Sequence, residues 1–143
     1  MRIVERYFLA LLLCLAACSS LPPPLALPSQ PSAPEVSETP IFSQLGFASW
    51  YGKNSDGMVT ANGEQFDMRA MTAAHRSLAF DTIVRVTNTA TGRMVKVRIN
   101  DRGPYAKRRI IDLSAAAAAA SGIHEEGVVP VRVEVFAADQ PRS

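Results

Sequence analysis

Apolar and polar positions alternate in three stretches of the chain. Val84 and Val86 are offset by Arg85 and Thr87. Val95, Val97 and Ile99 are offset by Lys96, Arg98 and Asn100. Val129, Val131, Val133 and Val135 are offset by Pro130, Arg132 and Glu134. A period of two in β-branched residues predicts half-buried strands. Asn88–Gly92 falls between the first two stretches and predicts a hairpin loop, with Gly92 free to take a positive φ. Ser114 is a good N-cap, Ala115–Ala120 are the strongest helix formers, and Gly122 is a good stop, so one short helix is predicted there. Its alanine face suits close packing on a sheet. Several short strands and one helix between residues 46 and 138 predict a mainly β domain. A small closed barrel is the expected form, because closure removes exposed strand edges.

The N-terminus carries a different pattern. Arg2 and Arg6 flank the start, and Tyr7–Ala17 is almost wholly apolar. A stretch of about 11 residues is too short to span a bilayer core of ~30 Å. With Leu15-Ala16-Ala17-Cys18 directly after it, the segment resembles the signal and lipobox of bacterial lipoproteins. The resemblance implies a signal peptide over 1–17, removal of Cys14, and lipidation of Cys18. Ser19, at the second mature position, is similar to an outer-membrane address, with the chain facing the periplasm; several acyl chains together anchor firmly. Ser19–Pro40 holds seven prolines, at 22, 23, 24, 28, 31, 34 and 40. Proline offers no N–H and favours extended backbone, so 18–45 is expected to be a disordered tether, dispensable for folding. The domain is expected over 46–138, with a short tail at 139–143.

Composition narrows the chemistry. The formal net charge is +2 and the signs are mixed. Lys107-Arg108-Arg109 is the densest basic run and reads as a solvated loop, so no nucleic-acid partner is expected. The only cysteines are Cys14 and Cys18, leaving the domain without a disulfide framework or a thiol nucleophile. Two distant histidines do not make a zinc site, and no phosphate loop, dinucleotide fingerprint or nucleophile elbow occurs, so no cofactor and no metal are expected.

Three polar residues are candidates for chemistry: Glu64 in the turn-rich Thr60-Ala61-Asn62-Gly63-Glu64, His75 after Met71-Thr72-Ala73-Ala74, and Asp101 before Arg102-Gly103-Pro104. Spacing alone favours a plain reading of each: a solvated loop carboxylate, a satisfied histidine, a turn former. His124 reads as a surface residue.

The ordered set of motifs says more than any one of them. Ala48-Ser49-Trp50-Tyr51-Gly52 opens the domain. Thr60–Glu64, Ala73-Ala74-His75 and Val86-Thr87-Asn88 follow. Ile99-Asn100-Asp101-Arg102-Gly103-Pro104 then precedes Arg109-Ile110-Ile111-Asp112-Leu113-Ser114. Over roughly residues 46–137 this order resembles the rare lipoprotein A (RlpA) family. The resemblance implies a small six-stranded double-psi β-barrel with one or two short helices, the fold shared with expansins. It implies endolytic lytic transglycosylase activity on the MurNAc–GlcNAc β-1,4 bond of peptidoglycan glycan strands, preferably stripped of stem peptides, with 1,6-anhydro-MurNAc formed. It also implies that Glu64, His75 and Asp101 are the catalytic set. Where the family often has Leu-Pro-Phe-Gly-Thr, this chain has Leu78-Ala79-Phe80-Asp81-Thr82. Many members carry a SPOR domain; none is expected between the barrel and Ser143, which leaves septal targeting and any cell-division or cell-wall protein partner open.

In that scheme Asp101 is the general acid and then the base, acting near neutral pH if burial and a like charge from Glu64 raise its pKa. Glu64 and His75 position and tune it. Trp50, Tyr51, Asn62 and Arg102 are expected glycan contacts, Trp50 and Tyr51 either stacking on sugar rings or packing in the first strand. Two other readings stay open: an expansin-like barrel that binds glycan without cutting it, and a lipid-anchored clamp between outer membrane and wall.

Overall fold

The computed structural model describes residues 38–142, so Cys14, Cys18, Ser19 and most of the expected tether lie outside the described residues. Six strands form one closed barrel. They are β1 (Phe42–Trp50), β2 (Thr72–His75), β3 (Ile83–Asn88), β4 (Met94–Asp101), β5 (Arg109–Leu113) and β6 (Val129–Val135), ordered β1-β5-β2-β4-β3-β6 around the barrel. Two pairs, β1/β5 and β2/β4, are parallel, and the other four are antiparallel. Only β3 and β4 are joined as a hairpin. The remaining neighbours are distant in sequence, so the chain crosses the barrel repeatedly.

The alternation that marked β3, β4 and β6 has its cause in burial. Val84, Val86, Val97, Ile99, Val131 and Val133 fill the barrel interior, each with at most 1% of its surface exposed. Full burial of such a side chain is worth about 1.5–3 kcal/mol. β1 adds a steric condition. A Cβ on Gly46 would lie 2.6 Å from Ile110 Cγ2 of β5, so this strand position accepts only glycine without repacking.

Helix α1 (Ala115–Ser121) forms as its sequence requires. The Ser114 side chain accepts from Ala117 N, and Gly122 closes the C-terminus at φ 73°. Ala117 and Ala118 are fully buried. The buried Ser121 hydroxyl is satisfied by donation to the carbonyls of Ala117 and Ala118.

The barrel starts earlier than the proline-rich composition suggests. Phe42 pairs with Val135 and Gln44 with Val133, so the first strand opens four residues before the expected boundary at 46. Phe42 packs on the core and edge-on to His75, at 6.0 Å between ring centroids. Residues 42–45 therefore belong to the barrel. Past β6, Ala137–Asp139 forms a single 3-10 turn. Asp139 there is ion-paired with Arg85 and Lys96, so the expected tail is docked at its start.

Candidate active site

The excursion between β1 and β2 folds over one mouth of the barrel. Its centre is a tight turn. Thr60 N donates to Glu64 O at 2.8 Å, and Val59 bridges to Gln65. Asn62 Oδ1 accepts from Thr60 Oγ1 at 2.6 Å and from Glu64 N at 3.1 Å. That is the local side-chain bonding which makes asparagine a turn former. Asn62, expected to contact glycan, thus has its carbonyl committed to shaping the turn. Asn62 N also donates to Asn100 O, tying the turn to β4.

At the end of β4 the strand register slips. Ala73 pairs with Ile99 and Ala74 with Asp101, leaving Asn100 as an extra residue on β4. Strict alternation would send neighbouring side chains to opposite faces; a bulge re-aims them. Both consequently reach the 60–64 turn. Asn100 Nδ2 donates to Glu64 Oε2 at 3.3 Å, and Asp101 Oδ1 accepts from Ala61 N at 2.9 Å. Asp101 Oδ1 also accepts from Arg102 N at 2.8 Å, and Oδ2 accepts from the Tyr51 hydroxyl at 3.1 Å. Burial and the Asp101 carboxylate push the Tyr51 phenol up, so it is a permanent donor. The cleft beside Asp101 measures about 120 Å³ and is lined by Tyr51, Ser55, Met58, Val59, Thr60 and Phe66.

Glu64 lies beside this cleft but is not a bare charge. Arg98 grips it with two parallel bonds, Nη1 to Oε1 at 2.9 Å and Nη2 to Oε2 at 2.8 Å. The bonds from Arg98, then that from Asn100, pull the Glu64 carboxyl down to about 2. The unbalanced like charge expected to act on Asp101 is therefore matched by a guanidinium. Arg98 was invisible as a site residue in the sequence, where it is one polar position in an alternating strand. Its Nη1 also reaches Asp81 Oδ1 at 2.8 Å. Asp81 has φ 66°, in the left-handed region. Aspartate tolerates that region better than most residues, which accounts for the departure at a position where the family often has glycine.

His75 is close in sequence space but separate in contacts. It is 3% exposed. Nδ1 accepts from Ser77 N and Leu78 N at 3.2 and 3.1 Å, and Nε2 faces Gln44 Oε1 at 3.2 Å. Two donors on Nδ1 fix the neutral tautomer with the proton on Nε2. Burial first, then Arg102 and Arg76, lower its pKa. No hydrogen bond joins His75 to Asp101 or Glu64 among the described residues. The link is indirect: Arg102 Nη1 donates to the carbonyls of His75 and Leu78, at 3.2 and 2.9 Å, while its guanidinium lies 3.9 Å over Phe80. Arg102, expected to meet glycan, is thereby spent on holding the 75–80 segment.

Trp50 and Tyr51 part company. Tyr51 lines the cleft, edge-on to Phe66 at 5.1 Å. Trp50 stacks on the exposed His124 at 4.2 Å and packs against the core, so it takes the packing role left open for it. A second carboxylate escaped sequence analysis: Asp112 of β5, 7% exposed, accepts from Ser49 Oγ at 2.7 Å and pairs with Arg109 at 3.0 Å. No cluster able to hold a metal occurs among the described residues.

A closed six-stranded barrel with two parallel pairs defines the double-psi class, and solved structures agree. A Streptomyces papain inhibitor aligns at TM-score 0.53 and 24% identity, over 66% of this chain and 94% of that one. A Clavibacter michiganensis expansin, solved with cellohexaose, aligns at TM-score 0.55 and 21% identity, over 71% and 54%. Residues 43–133 match the family described as lytic transglycolase, and the chain belongs to that family, in its RlpA branch. The endolytic peptidoglycan transglycosylase RlpA of Vibrio cholerae is 51% identical over 100 residues, 70% of this chain and 38% of that protein. A probable endolytic peptidoglycan transglycosylase RlpA of a Nostoc species is 59% identical over 97 residues, 66% and 26%. The match spans well under half the length of these relatives.

Proposed function

We propose that the barrel is a peptidoglycan lytic transglycosylase with Asp101 as its single acid–base. One observation carries this reading. Asp101 is the one carboxylate among the residues that line the cleft, it carries no ion pair among the described residues, and the neighbouring Glu64 is locked to Arg98. Hydrolysis of a glycoside ordinarily needs two working carboxylates. Lytic transglycosylation needs one, because the nucleophile belongs to the substrate. Protonated Asp101 gives its proton to the O4 leaving group as the C1–O4 bond of MurNAc breaks. The resulting carboxylate takes the proton of the 6-hydroxyl on the same ring, whose oxygen bonds to C1. A 1,6-anhydro-MurNAc end forms, Asp101 is protonated again, and no water is consumed. The attack is intramolecular and gains from high effective molarity.

The surrounding residues aim the carboxylate. Tyr51 O–H and Ala61 N–H fix its two oxygens. Glu64, through Arg98 and Asn100, holds the turn that presents Ala61. His75 holds the 77–78 backbone and, through Arg102, the chain beside Asp101. Glu64 and His75 are thus positioning residues in this reading. The substrate is the peptidoglycan glycan strand, as the names of the relatives suggest, and the family resemblance suggests a preference for peptide-denuded strands. The lipobox-like Leu15–Cys18 supports acylation of Cys18, and Ser19 supports an outer-membrane, periplasm-facing anchor.

The test is incubation of the purified protein with amidase-treated sacculi and mass spectrometry of the products. Wild type is expected to yield 1,6-anhydro ends, and Asp101→Asn to lose about 10²–10⁴-fold in rate. An active Asp101→Asn protein removes the proposed acid. A wild type that binds sacculi without releasing anhydro ends establishes the expansin-like binding reading instead.

A further inference from the structure

The cleft beside Asp101 is walled by side chains that water does not favour. Met58 is 61% exposed and Val59 73% exposed, yet both are large and apolar. They stand on a rigid support: Phe66 N donates to Met58 O at 2.7 Å, Gly57 N to Phe66 O at 2.8 Å, and Val59 bridges to Gln65. Phe66, 6% exposed, closes the floor. The opposite side is polar, with the Asp101 carboxylate, the Tyr51 hydroxyl and Ser55. The cleft is small, about 120 Å³, and offers one apolar and one polar side to a substituent of a bound sugar.

We propose that this cleft is a selectivity pocket for the N-acetyl group of an amino sugar next to the bond being cut. The acetamido group has the required two-sided character. Its methyl covers Met58 and Val59, and its amide faces the polar wall. A ring bearing only hydroxyls would leave Met58 and Val59 against polar groups and gain nothing from them. The inference rests on the glycan-cleaving reading for the identity of the polymer, and it adds a chemical reason why an amino-sugar polymer is chosen over a plain glucan.

Two oligomers of equal length separate the possibilities: N-acetylchitohexaose and cellohexaose, titrated calorimetrically against the full chain and against a Met58→Ser/Val59→Ser double variant. Both positions are exposed, so the melting curve should not move, which excludes misfolding as a cause. Burying one methyl is worth about fivefold in affinity, and a fitted pocket somewhat more. Wild type is expected to prefer the acetylated oligomer by about tenfold. The double variant should bring that ratio close to one by weakening the acetylated ligand alone. A wild-type ratio near one, or a double variant that keeps the preference, overturns the pocket. The anhydro-end assay reports separately. Preference without anhydro products would sink the cleavage reading and leave the pocket standing; anhydro products without preference would do the reverse.

Discussion

His75 should make the barrel sensitive to mild acid, and the direction of the effect follows from its contacts. The folded ring accepts two backbone N–H groups on Nδ1 and is 3% exposed. Protonation would put a hydrogen on Nδ1, facing Ser77 N–H and Leu78 N–H, and would bring a charge next to Arg102 and Arg76. The folded pKa thus lies below the ordinary 6.5. The unfolded chain takes up the proton first, so stability is full above that value and declines as pH falls below it. Each pH unit over which the folded ring stays neutral while the unfolded one is charged costs about 1.4 kcal/mol, so the loss grows as pH falls from 6.5 toward the folded pKa. The urea unfolding midpoint should therefore fall as pH drops below 6.5, at an unchanged m-value. His75→Gln supplies the control, because an amide oxygen accepts from the same two N–H groups and does not titrate. His124 is present in both proteins and cancels. Urea unfolding at pH 8, 6.5 and 5 should show a sloping wild type and a flatter variant. Parallel profiles would refute the assignment of His75 as a buried neutral acceptor.

Tyr51→Phe removes one donor from Asp101 Oδ2 and leaves Ala61 N and Arg102 N in place; a lost bond to a charged group, about 1.5–3 kcal/mol, predicts about 10–100-fold lower kcat on denuded glycan with little change in melting. Glu64→Gln should lower activity by loosening the 60–64 turn, while stability falls by no more than about 1 kcal/mol at this exposed pair. Because the Glu64 carboxyl sits near 2, its share of stability is present above about 4.5 and lost only as pH falls toward 2. The acid limb of a pH–rate profile above pH 4 should therefore not move in this variant, and a moved limb would show Glu64 titrating with the reaction. Gly46→Ala places a Cβ at 2.6 Å from Ile110 Cγ2 and should cost about 1–3 kcal/mol, with part recovered by adding Ile110→Val; thermal melts of the single and double variants decide it.

What the sequence reveals depends on how many faces of each element are covered. β3, β4 and β6 pack one face inward and wet the other, so their residues alternate and the strands can be read directly. β2 is buried at all four positions and β5 at four of five. Thr72-Ala73-Ala74-His75 and Arg109–Leu113 therefore show no period of two, and only the family resemblance implied six strands. The helix was legible because Ser114, the alanines and Gly122 act locally. The site was legible in part. Asp101, Glu64 and Tyr51 do meet at one mouth, as the motif order implied. The bulge at Asn100, the Arg98 grip on Glu64 and the separation of His75 from Asp101 depend on partners 30 or more residues away or on strand register, which no local pattern encodes. Phe42 and Gln44 were hidden by the prolines before them.

Arg98 holds Glu64 and Asp81 at once, so two segments distant in sequence share one anchor. The turn at 60–64 and the bend at 78–82 are not in contact through these carboxylates, yet neither can shift without reorienting the guanidinium that the other uses. Asp81 keeps its grip while occupying a backbone conformation that glycine would adopt more easily. Asp81→Gly would relax the bend and leave Arg98 to Glu64 alone. The residue at position 81 thereby decides whether Arg98 is shared between two carboxylates or held by Glu64 alone.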